Sequence, residues 1–301
     1  MILILLLYFL IATTFIFGKL LLGFVPPIFL IAIRMIISGL LLLFFYLFTR
    51  EKTSCKQKKD YLFLLGTAIF HVLIPFTTEY IAMQTIDPSA VCLFYNISPF
   101  FSAILSYLFF EEKMTKKKWT GLGIGILGIF YFTAPSFFLN PLAILSARPA
   151  FAHILMLISV MTSCFGWILV RILVKDRNFS PLFVNGISML IGGVFALPLS
   201  YFFEGRFDIL KIEDKAYFIF LLALLIFLAN VVFYNFYSFL LTKYTATILS
   251  FFGLFTPLFV VFLQNVFLDI PIAPAFFEST LIISFGIYIF YQEELKQGYI
   301  S

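Results

Sequence analysis

Residues 98–130 read SPFFSAILSYLFFEEKMTKKKWTGLGIGILGIF, and residues 256–288 repeat the pattern as TPLFVVFLQNVFLDIPIAPAFFESTLIISFGIY. Each stretch consists of two apolar segments joined by a short loop, and the two align without a gap at an offset of 158 positions. Similar residues recur at matched positions: Pro99 and Pro257, Glu111 and Asp269, Gly121 and Ser279, and Gly128 and Gly286. The chain therefore contains a repeated structural unit.

The loop inside the repeated unit differs between the two copies. The second copy has no lysine or arginine there, whereas the first has four lysines: Lys113, Lys116, Lys117 and Lys118. Lysine-rich loops stay in the cytoplasm, and loops without basic residues can cross a membrane. The same unit is thus expected to lie in the bilayer in two opposite orientations, which is typical of carriers built from inverted repeats.

The composition indicates an integral membrane protein. Hydrophobic residues make up 62% of the 301 residues and charged residues 12%, against roughly 25% charged residues in soluble domains. Mean hydropathy is +1.08. A chain of this length holds on the order of ten membrane helices of ~20 residues. The net charge of +5 fits basic cytoplasmic loops and anionic lipid, so we expect the lipid bilayer and no nucleic acid as a partner.

Apolar windows predict an all-α fold of ten transmembrane helices, arranged as two inverted five-helix repeats. A second alignment supports this division, since PPIFLIAIRMIISG (26–39) resembles SPLFVNGISMLIGG (180–193). The predicted units are a first repeat at 1–134, an external connecting loop at 135–149, a second repeat at 150–291 and a cytoplasmic tail at 292–301. The predicted helices cover residues 2–22, 27–48, 61–83, 89–110, 119–134, 150–173, 181–203, 217–241, 247–268 and 275–291.

The distribution of basic residues predicts the orientation in the membrane. With the N-terminus in the cytoplasm, the inner segments carry 14 Lys and Arg residues and the outer segments carry 4. This excess on the inner side follows the positive-inside rule. We therefore expect a multi-pass protein of the cytoplasmic (inner) membrane with both termini in the cytoplasm.

Three stretches carry a resemblance to a known family: RMIISGLLLL at 34–43, EYIAMQTIDPSAVCLFYNISPFFSAILSYLFFEEKMTKKKWTGLGIGILGIFYF at 79–132, and a degenerate copy at 244–291. The chain resembles the drug/metabolite transporter superfamily, specifically its ten-helix bacterial branch with two EamA-type repeats. The first half has the proline and glutamate of the fourth helix and the glycine-rich fifth helix. The second half has Asp269 in place of the glutamate and lacks most of the glycines.

The resemblance implies a transport role. It also implies a cavity between the two halves, lined by helices 1, 3, 4, 6, 8 and 9, and alternating access by rocking of the halves. Members of the family move amino acids, drugs, nucleotide-like metabolites and, in some intracellular bacteria, S-adenosylmethionine. The family motifs are architectural and do not name a substrate.

Ionisable residues within the predicted spans are the first candidates for a site, because each costs about 2.5–3.5 kcal/mol to insert. His71 and Glu79 lie eight residues apart on the third helix and share one broad face of an α-helix, so they could relay protons. A histidine that bridges helices and a glutamate that reaches the interface are the structural alternatives. Arg34 could pair with Glu79 or bind a substrate carboxylate, or it could have a structural role.

Aromatic and amide side chains form the second group of candidates. Asn230, Tyr234 and Tyr237 follow each other at helical spacing, as in a pocket that stacks a planar ring, although asparagine also serves as interhelical glue. Trp167 lies too deep in its helix for an interfacial tryptophan and could stack on a substrate or fill a packed interface. Two clusters around prolines in the middle of helices complete the set. Tyr95 and Asn96 are candidates for substrate binding or proton coupling, and Pro99, Thr256, Pro257 and Gln264 are hinge or cavity-lining candidates.

No phosphate-binding loop, catalytic triad or metal-ligand spacing is visible in the sequence, so we expect neither an enzyme nor a cofactor or metal. The sequence favours a secondary carrier, monomer or homodimer, for a small amphipathic or ring-bearing metabolite. Export of drugs or amino acids, uptake of S-adenosylmethionine or a nucleoside-like metabolite, and a membrane interaction protein without transport remain alternatives. An enzyme acting on lipids is the weakest of the alternatives.

Overall fold

The computed structural model of the chain describes residues 2–49, 57–110, 114–138, 148–205, 212–243, 253, 256–271 and 274–297. Every regular element within these ranges is helical. Seven helices in the described part are long and apolar enough to cross a membrane, and two shorter apolar helices accompany them, Leu7–Leu21 and Thr256–Leu268. The chain is an all-helical multi-pass membrane protein. Glu111, Lys113, residues 139–147 of the predicted connecting loop and the end of the predicted tail lie outside the described residues.

We number the helical segments of the described residues in chain order. They are α1 (Ile2–Leu21), α2 (Pro27–Leu47), α3 (Lys58–Met83), α4 (Pro88–Tyr95 and Ser98–Phe110), α5 (Lys116–Phe138), α6 (Arg148–Arg171), α7 (Pro181–Glu204), α8 (the consecutive segments Lys215–Leu225, Ile226–Phe233 and Tyr234–Lys243), α9 (Thr256–Leu268) and α10 (Pro274–Lys296). Pro27, Pro88 and Pro181 occupy the first helical position of their helices, where a missing N–H leaves no hydrogen bond unmade.

The fourth and fifth predicted helices differ from those observed. The predicted helix at 89–110 is interrupted by a turn at Asn96 and Ile97, because Pro99 has no N–H to donate to the carbonyl group of Tyr95 one turn earlier. The predicted helix at 119–134 is longer in the structure, Lys116–Phe138. Residues 247–252 of the predicted ninth helix lie outside the described residues.

Two helices contain a π-helical turn at matched places. The turn in α3 covers Ala68–Leu73, and the turn in α8 covers Ile226–Phe233. Their first residues are 158 positions apart, as are the starts of Ser98–Phe110 and Thr256–Leu268 and those of α5 and α10. A further π-helical turn, Ile172–Asp176, continues α6. Such turns insert an extra residue into a helix and occur frequently at functional sites.

The most extensive helix–helix packing joins α2 to α7 and α5 to α10, and we call these contacts the α2/α7 seam and the α5/α10 seam. At Gly39 an added Cβ would lie 2.5 Å from the backbone nitrogen of Leu190, and at Gly193 it would lie 2.7 Å from that of Ile36. Glycine thus lets the two backbones approach closely. In the α5/α10 seam, Gly121 and Gly286 play the same role towards each other.

The outer surface of the bundle is apolar. Large hydrophobic side chains point outward from most helices, for example Leu47, Phe202 and Leu281, which are 77%, 80% and 71% exposed. Such a surface fits lipid tails as the surrounding solvent. Many polar side chains of the described spans are instead buried, and some of them, such as Arg34, Glu79 and Asn96, belong to the site described next.

Candidate functional site

A cavity of about 160 Å³ lies inside the bundle, among α1, α2, α3, α4, α6 and α8 and the start of α9. It places residues far apart in the sequence next to one another. Eight residues singled out in the sequence line it: Arg34, Glu79, Tyr95, Asn96, Trp167, Tyr234, Tyr237 and Thr256. The cavity therefore collects most of the candidate residues at one place.

One wall of the cavity is aromatic and consists of Trp167, Phe233, Tyr234, Tyr237 and Phe76. The rings of Trp167 and Tyr234 are nearly parallel, with centroids 5.3 Å apart and an interplanar angle of 28°. The centroid of Tyr237 lies 4.4 Å from that of Trp167, and that of Phe76 lies 6.0 Å from that of Tyr234. These offset arrangements are the favourable ones for aromatic rings. The aromatic wall offers a flat, polarisable surface to a ligand.

His71 stands behind this wall. Its ring centroid is 4.3 Å from that of Trp167, edge to face, and 5.1 Å from that of Tyr234. The side chain is 1% exposed, and neither ring nitrogen has a hydrogen-bond partner in the described part of the chain. Gly166 on α6 permits this approach, because an added Cβ would lie 2.5 Å from the Cα of His71. His71 thus supports the wall from the π-helical turn of α3.

Arg34 connects three helices beside the wall. Its Nε donates to the side-chain oxygen of Asn230 on α8 at 2.9 Å, and its Nη1 donates to the hydroxyl oxygen of Tyr80 on α3 at 2.7 Å. The guanidinium carbon lies 5.0 Å from the ring centroid of Phe76, as in a cation–π contact. Arg34 is 2% exposed and directs these donors to neutral groups rather than to Glu79. The cavity therefore has a fixed positive charge.

Glu79 belongs to a chain of hydrogen-bonded groups on the other side of the cavity. The hydroxyl of Tyr95 on α4 lies 2.7 Å from a carboxyl oxygen of Glu79 and 3.1 Å from the hydroxyl oxygen of Ser159 on α6. Ser159 in turn lies 2.9 Å from the carbonyl oxygen of Pro75. This chain joins α3 and α4 to α6.

Two buried polar atoms on the lining have no hydrogen-bond partner within the described residues. They are the side-chain nitrogen of Asn96, at the interruption of α4, and the hydroxyl oxygen of Thr256, the first residue of α9. Buried polar groups normally have partners, so such atoms mark places where a ligand or water can bind.

The remaining predicted residues lie outside the cavity lining. Asn230 reaches the site through Arg34, and its side-chain nitrogen lies 3.5 Å from the sulfurs of Met35 and Met189. Gln264 accepts a hydrogen bond from the backbone N–H of Ser89 at 3.1 Å and so holds α9 to the start of α4. Pro257 is buried in α9. Pro99 is the second residue in the second part of α4, and its side chain lies outside what the structure describes.

Several lining residues escaped the sequence reasoning. Tyr8, Ile11, Thr14 and Phe15 of α1 face the cavity, at a spacing that places them on one side of a helix. The sequence contains this spacing, but it does not distinguish the cavity-facing side of α1, because the helix is apolar on all sides. Phe76 and Tyr80 were missed because their role depends on Arg34, which lies 42 to 46 residues earlier on another helix.

The comparisons with known proteins agree with this architecture. Residues 1–134 and 150–292 match the EamA-like transporter family. A solved crystal structure superposes with a TM-score of 0.67 over 98% of this chain and 97% of the other at 13% identity, which shows a common fold.

Two relatives cover most of the chain. The S-adenosylmethionine/S-adenosylhomocysteine transporter of Chlamydia muridarum is 27% identical over 275 residues, 91% of this chain and 86% of the relative. The protein of the same description from Chlamydia trachomatis serovar L2 is 27% identical over 277 residues, 91% of this chain and 83% of the relative.

The family match confirms the resemblance drawn from the sequence, and with it the prediction of a membrane transporter rather than an enzyme. The match extends over both halves of the sequence and over the helices that enclose the cavity. The chain belongs to the EamA-like transporter family of the drug/metabolite transporter superfamily.

Proposed function

We propose that this transporter is a secondary carrier for S-adenosylmethionine and S-adenosylhomocysteine, and that both bind in the cavity. The observation that carries the proposal is the aromatic wall of Trp167, Tyr234 and Tyr237 facing one cation and one carboxyl group, Arg34 and Glu79. The relatives' description supports the same substrates. The sequence predicted a ring-bearing metabolite as substrate, with S-adenosylmethionine among the alternatives. The proposal selects that alternative.

The chemistry of the two substrates matches the lining group by group. An adenine ring stacks on the aromatic wall, and its polar edge can use the unpartnered atoms of Asn96 and Thr256. The methionine carboxylate suits Arg34, whose guanidinium has five N–H donors, of which Asn230 and Tyr80 take two. A sulfonium centre is attracted to ring faces and to a carboxylate.

The size of the cavity supports a conformational change during transport. A volume of about 160 Å³ is below the ~300–1,000 Å³ of pockets that hold drug-sized ligands. Helices must therefore separate to admit a nucleoside-sized substrate. We propose alternating access in which α1–α5 rock against α6–α10, with the α2/α7 seam and the α5/α10 seam as the contacts that persist.

The inverted repeat is part of this proposal and has two kinds of support. Several elements of the two halves, including the π-helical turns of α3 and α8, begin 158 positions apart. The contacts of the α2/α7 seam are also reciprocal: Gly39 meets residues three and seven positions before Gly193, and Gly193 meets residues three and seven positions before Gly39. Reciprocal contacts are the signature of two-fold symmetry.

The proposed organisation keeps the units expected from the sequence. These are two five-helix repeats at 1–134 and 150–291, an external loop at 135–149 and a tail at 292–301, in the cytoplasmic membrane with both termini inside. The basic residues of the inner segments support this orientation.

Counterflow in proteoliposomes tests the proposed function. Vesicles loaded with S-adenosylhomocysteine should accumulate radiolabelled S-adenosylmethionine, and unlabelled adenosine or methionine alone should compete weakly. Trp167→Ala should lower uptake at least tenfold, since it removes the centre of the aromatic wall. The matched control is the other tryptophan, Trp119→Ala, because Trp119 is 54% exposed on the surface of α5.

Three results would contradict the proposal. Equal uptake by the two tryptophan variants would move the substrate site away from the aromatic wall. Absence of counterflow with both adenosyl compounds, together with transport of amino acids or drugs, would favour the export alternatives. Absence of any flux in well-folded protein would favour the membrane interaction alternative.

A further inference from the structure

The hydroxyl group of Tyr80 has a proton without an acceptor. Its oxygen accepts a hydrogen bond from Nη1 of Arg34 at 2.7 Å, and a guanidinium has no lone pair with which to accept one in return. The hydroxyl proton therefore points away from Arg34. No oxygen or nitrogen in the described part of the chain accepts it. Tyr80 is 2% exposed and lines the cavity, so this donor is enclosed by protein but lies beside open space.

Tyr95 has the other arrangement in the same cavity. Its hydroxyl group donates to a carboxyl oxygen of Glu79 at 2.7 Å, so its proton is already used. Glu79 is the one acidic side chain among the described lining residues. It directly precedes Tyr80, but consecutive residues of a helix point about 100° apart, and Tyr80 donates no hydrogen bond to it. The cavity lining therefore leaves the Tyr80 donor unsatisfied.

Arg34 has unused donors beside the same hydroxyl group. Of its five N–H groups, one on Nε and one on Nη1 are used by Asn230 and Tyr80. Nη2 has no hydrogen-bond partner among the described residues, yet it is not one of the fully enclosed polar atoms without a partner, so it borders the open volume. Because Nη1 and Nη2 are bonded to one carbon atom, a single small anion can reach both the Nη2 donors and the Tyr80 hydroxyl.

Both groups are held in position before any ligand binds. Asn230 fixes Nε of Arg34 at 2.9 Å. The guanidinium carbon lies 5.0 Å from the ring centroid of Phe76 and 5.8 Å from that of Tyr80, four residues later on the same face of α3. Little side-chain order remains to be gained on binding, which favours affinity. A hydroxyl group that accepts from a cation is also polarised into a stronger donor.

The charges of the cavity indicate which anion fits these donors. The subsite has one cation and one neutral donor, which match a carboxylate with one negative charge and two oxygens. A phosphate monoester has a charge of about −1.5 to −2 at pH 7. It would place excess negative charge in a cavity that also holds Glu79, and an unpaired buried charge is costly. The donors therefore suit a carboxylate better than a phosphate.

We propose that Tyr80 determines specificity for the amino-acid part of the substrate, because it donates its hydroxyl proton to the carboxylate that Arg34 binds. One carboxylate oxygen accepts from Nη2 of Arg34 and the other accepts from the hydroxyl group of Tyr80. The site thus selects adenosyl compounds with a carboxylate over adenosine and over adenine nucleotides. This step rests on the substrates and the Arg34 contact proposed above.

Two ligands that differ only in the carboxylate test the proposal. Purified protein in lipid nanodiscs is titrated with S-adenosylhomocysteine and with its decarboxylated analogue. The wild type should bind S-adenosylhomocysteine at least about tenfold more tightly, since the analogue leaves both donors unpaired. Tyr80→Phe should weaken binding of S-adenosylhomocysteine about tenfold and that of the analogue by less than about twofold. The matched control is Tyr107→Phe, which should change neither affinity, because Tyr107 is 49% exposed on α4.

Gly18→Ala is a second variant that keeps the hydroxyl group but displaces it. An added Cβ at Gly18 of α1 would lie 2.7 Å from the hydroxyl oxygen of Tyr80, so the end of the tyrosine side chain must shift. The backbone of neither helix needs to move, and the melting temperature should change little. The preference for S-adenosylhomocysteine over its analogue should fall in this variant as it does in Tyr80→Phe.

The outcomes separate this proposal from the proposed function. Equal weakening of both ligands by Tyr80→Phe would show that the hydroxyl group only holds Arg34, and it would overturn the proposal. Equal affinity of the wild type for the two ligands would overturn it without any variant. Binding of AMP as tight as that of S-adenosylhomocysteine would overturn the choice of a carboxylate. Each of these results leaves adenosyl transport intact, whereas absence of counterflow with both adenosyl compounds would refute the proposed function itself.

Discussion

Helix α2 contributes to a seam and to the cavity in opposite ways. Along α2, Gly39 lies against the backbone of α7 with no room for a methyl group, whereas Arg34, five residues earlier, lies beside an open volume of about 160 Å³. The seams contain small residues and direct backbone contact. The cavity contains aromatic rings and polar atoms, two of them without partners among the described residues. The chain thus separates the contacts that hold α2 to α7 and α5 to α10 from the cavity proposed to bind the substrate.

The physical reason lies in the membrane environment. Lipid tails are as apolar as leucine, so association of helices depends on close packing and interhelical hydrogen bonds rather than on removal of apolar surface from water. Glycine contacts supply that packing at the seams. A substrate site instead needs space and exposed donors and acceptors, which weaken packing. Placing the two on different faces of a helix avoids the conflict.

The largest effect of a single substitution, on the assembly of the protein, is expected at the α2/α7 seam. In Gly39→Val the new side chain would meet the backbone of α7 at Leu190, which cannot move aside without separating the helices. Overpacking costs about 1–3 kcal/mol or more. We expect the yield of monodisperse protein after detergent extraction to fall strongly.

The matched control for this prediction is Gly123→Val on α5, where an added Cβ has nothing within 4 Å. We expect its yield and elution profile to equal those of the wild type. Equal loss in the two variants would mean that the α2/α7 seam has no special role in assembly.

Arg34 lies on α2, which belongs both to a seam and to the cavity lining. Its replacement should therefore affect both transport and stability, to a degree between those of the other two predictions. Arg34→Met deprives Asn230 and Tyr80 of their donor, at about 1–3 kcal/mol for each buried group left unsatisfied. It also removes the proposed partner of the substrate carboxylate. We expect uptake to fall at least a hundredfold, with a smaller decrease in thermal stability.

Asn230→Ala is the companion variant for Arg34. It removes the contact between Asn230 and Arg34 but leaves the positive charge in the cavity, so thermal stability should fall while uptake falls less than in Arg34→Met. Wild-type uptake by Arg34→Met would show that the guanidinium is a structural tie only, which is the alternative considered from the sequence.

Thr256→Val should give the smallest effect of the three. It should also best separate an effect on substrate affinity from an effect on stability. The hydroxyl oxygen of Thr256 has no partner among the described residues, so an isosteric valine should not lower stability. If the hydroxyl binds substrate, apparent affinity should fall about tenfold, which corresponds to ~1.4 kcal/mol. The measurements are the KM for S-adenosylmethionine uptake and the melting temperature. A lower melting temperature with unchanged KM would place the hydroxyl in the scaffold rather than in the site.

The fold and the membership of the cavity could be predicted to different extents. Glycines and prolines mark backbone requirements locally, so Pro181 indicates a helix start, and Gly39 and Gly193 stand at matched places of two similar segments. Trp167 and Glu79 are also conspicuous, because each is unusual within an apolar span. These signals need only one residue and its neighbours along the chain.

The hydrogen-bonded partners could not be predicted in the same way. Ser159 is an ordinary serine in an apolar helix, and its importance depends on Pro75, 84 positions away, and on Tyr95. The relation between His71 and Glu79 was predicted from 3.6 residues per turn, but a π-helical turn precedes Glu79 and changes the angle between them. No residue type marks such a turn in a single sequence.

The π-helical turn Ala68–Leu73 makes the composition of the pocket sensitive to the number of residues in α3. Loss of one residue from it would restore a regular helix and turn the following part of α3 by about 100°, with Glu79 moved away from the cavity and its neighbour brought in. A single-codon deletion could thus change substrate preference in one evolutionary step while every pocket side chain is still encoded. Among relatives, gaps at this turn should therefore predict a change of cargo better than overall identity does.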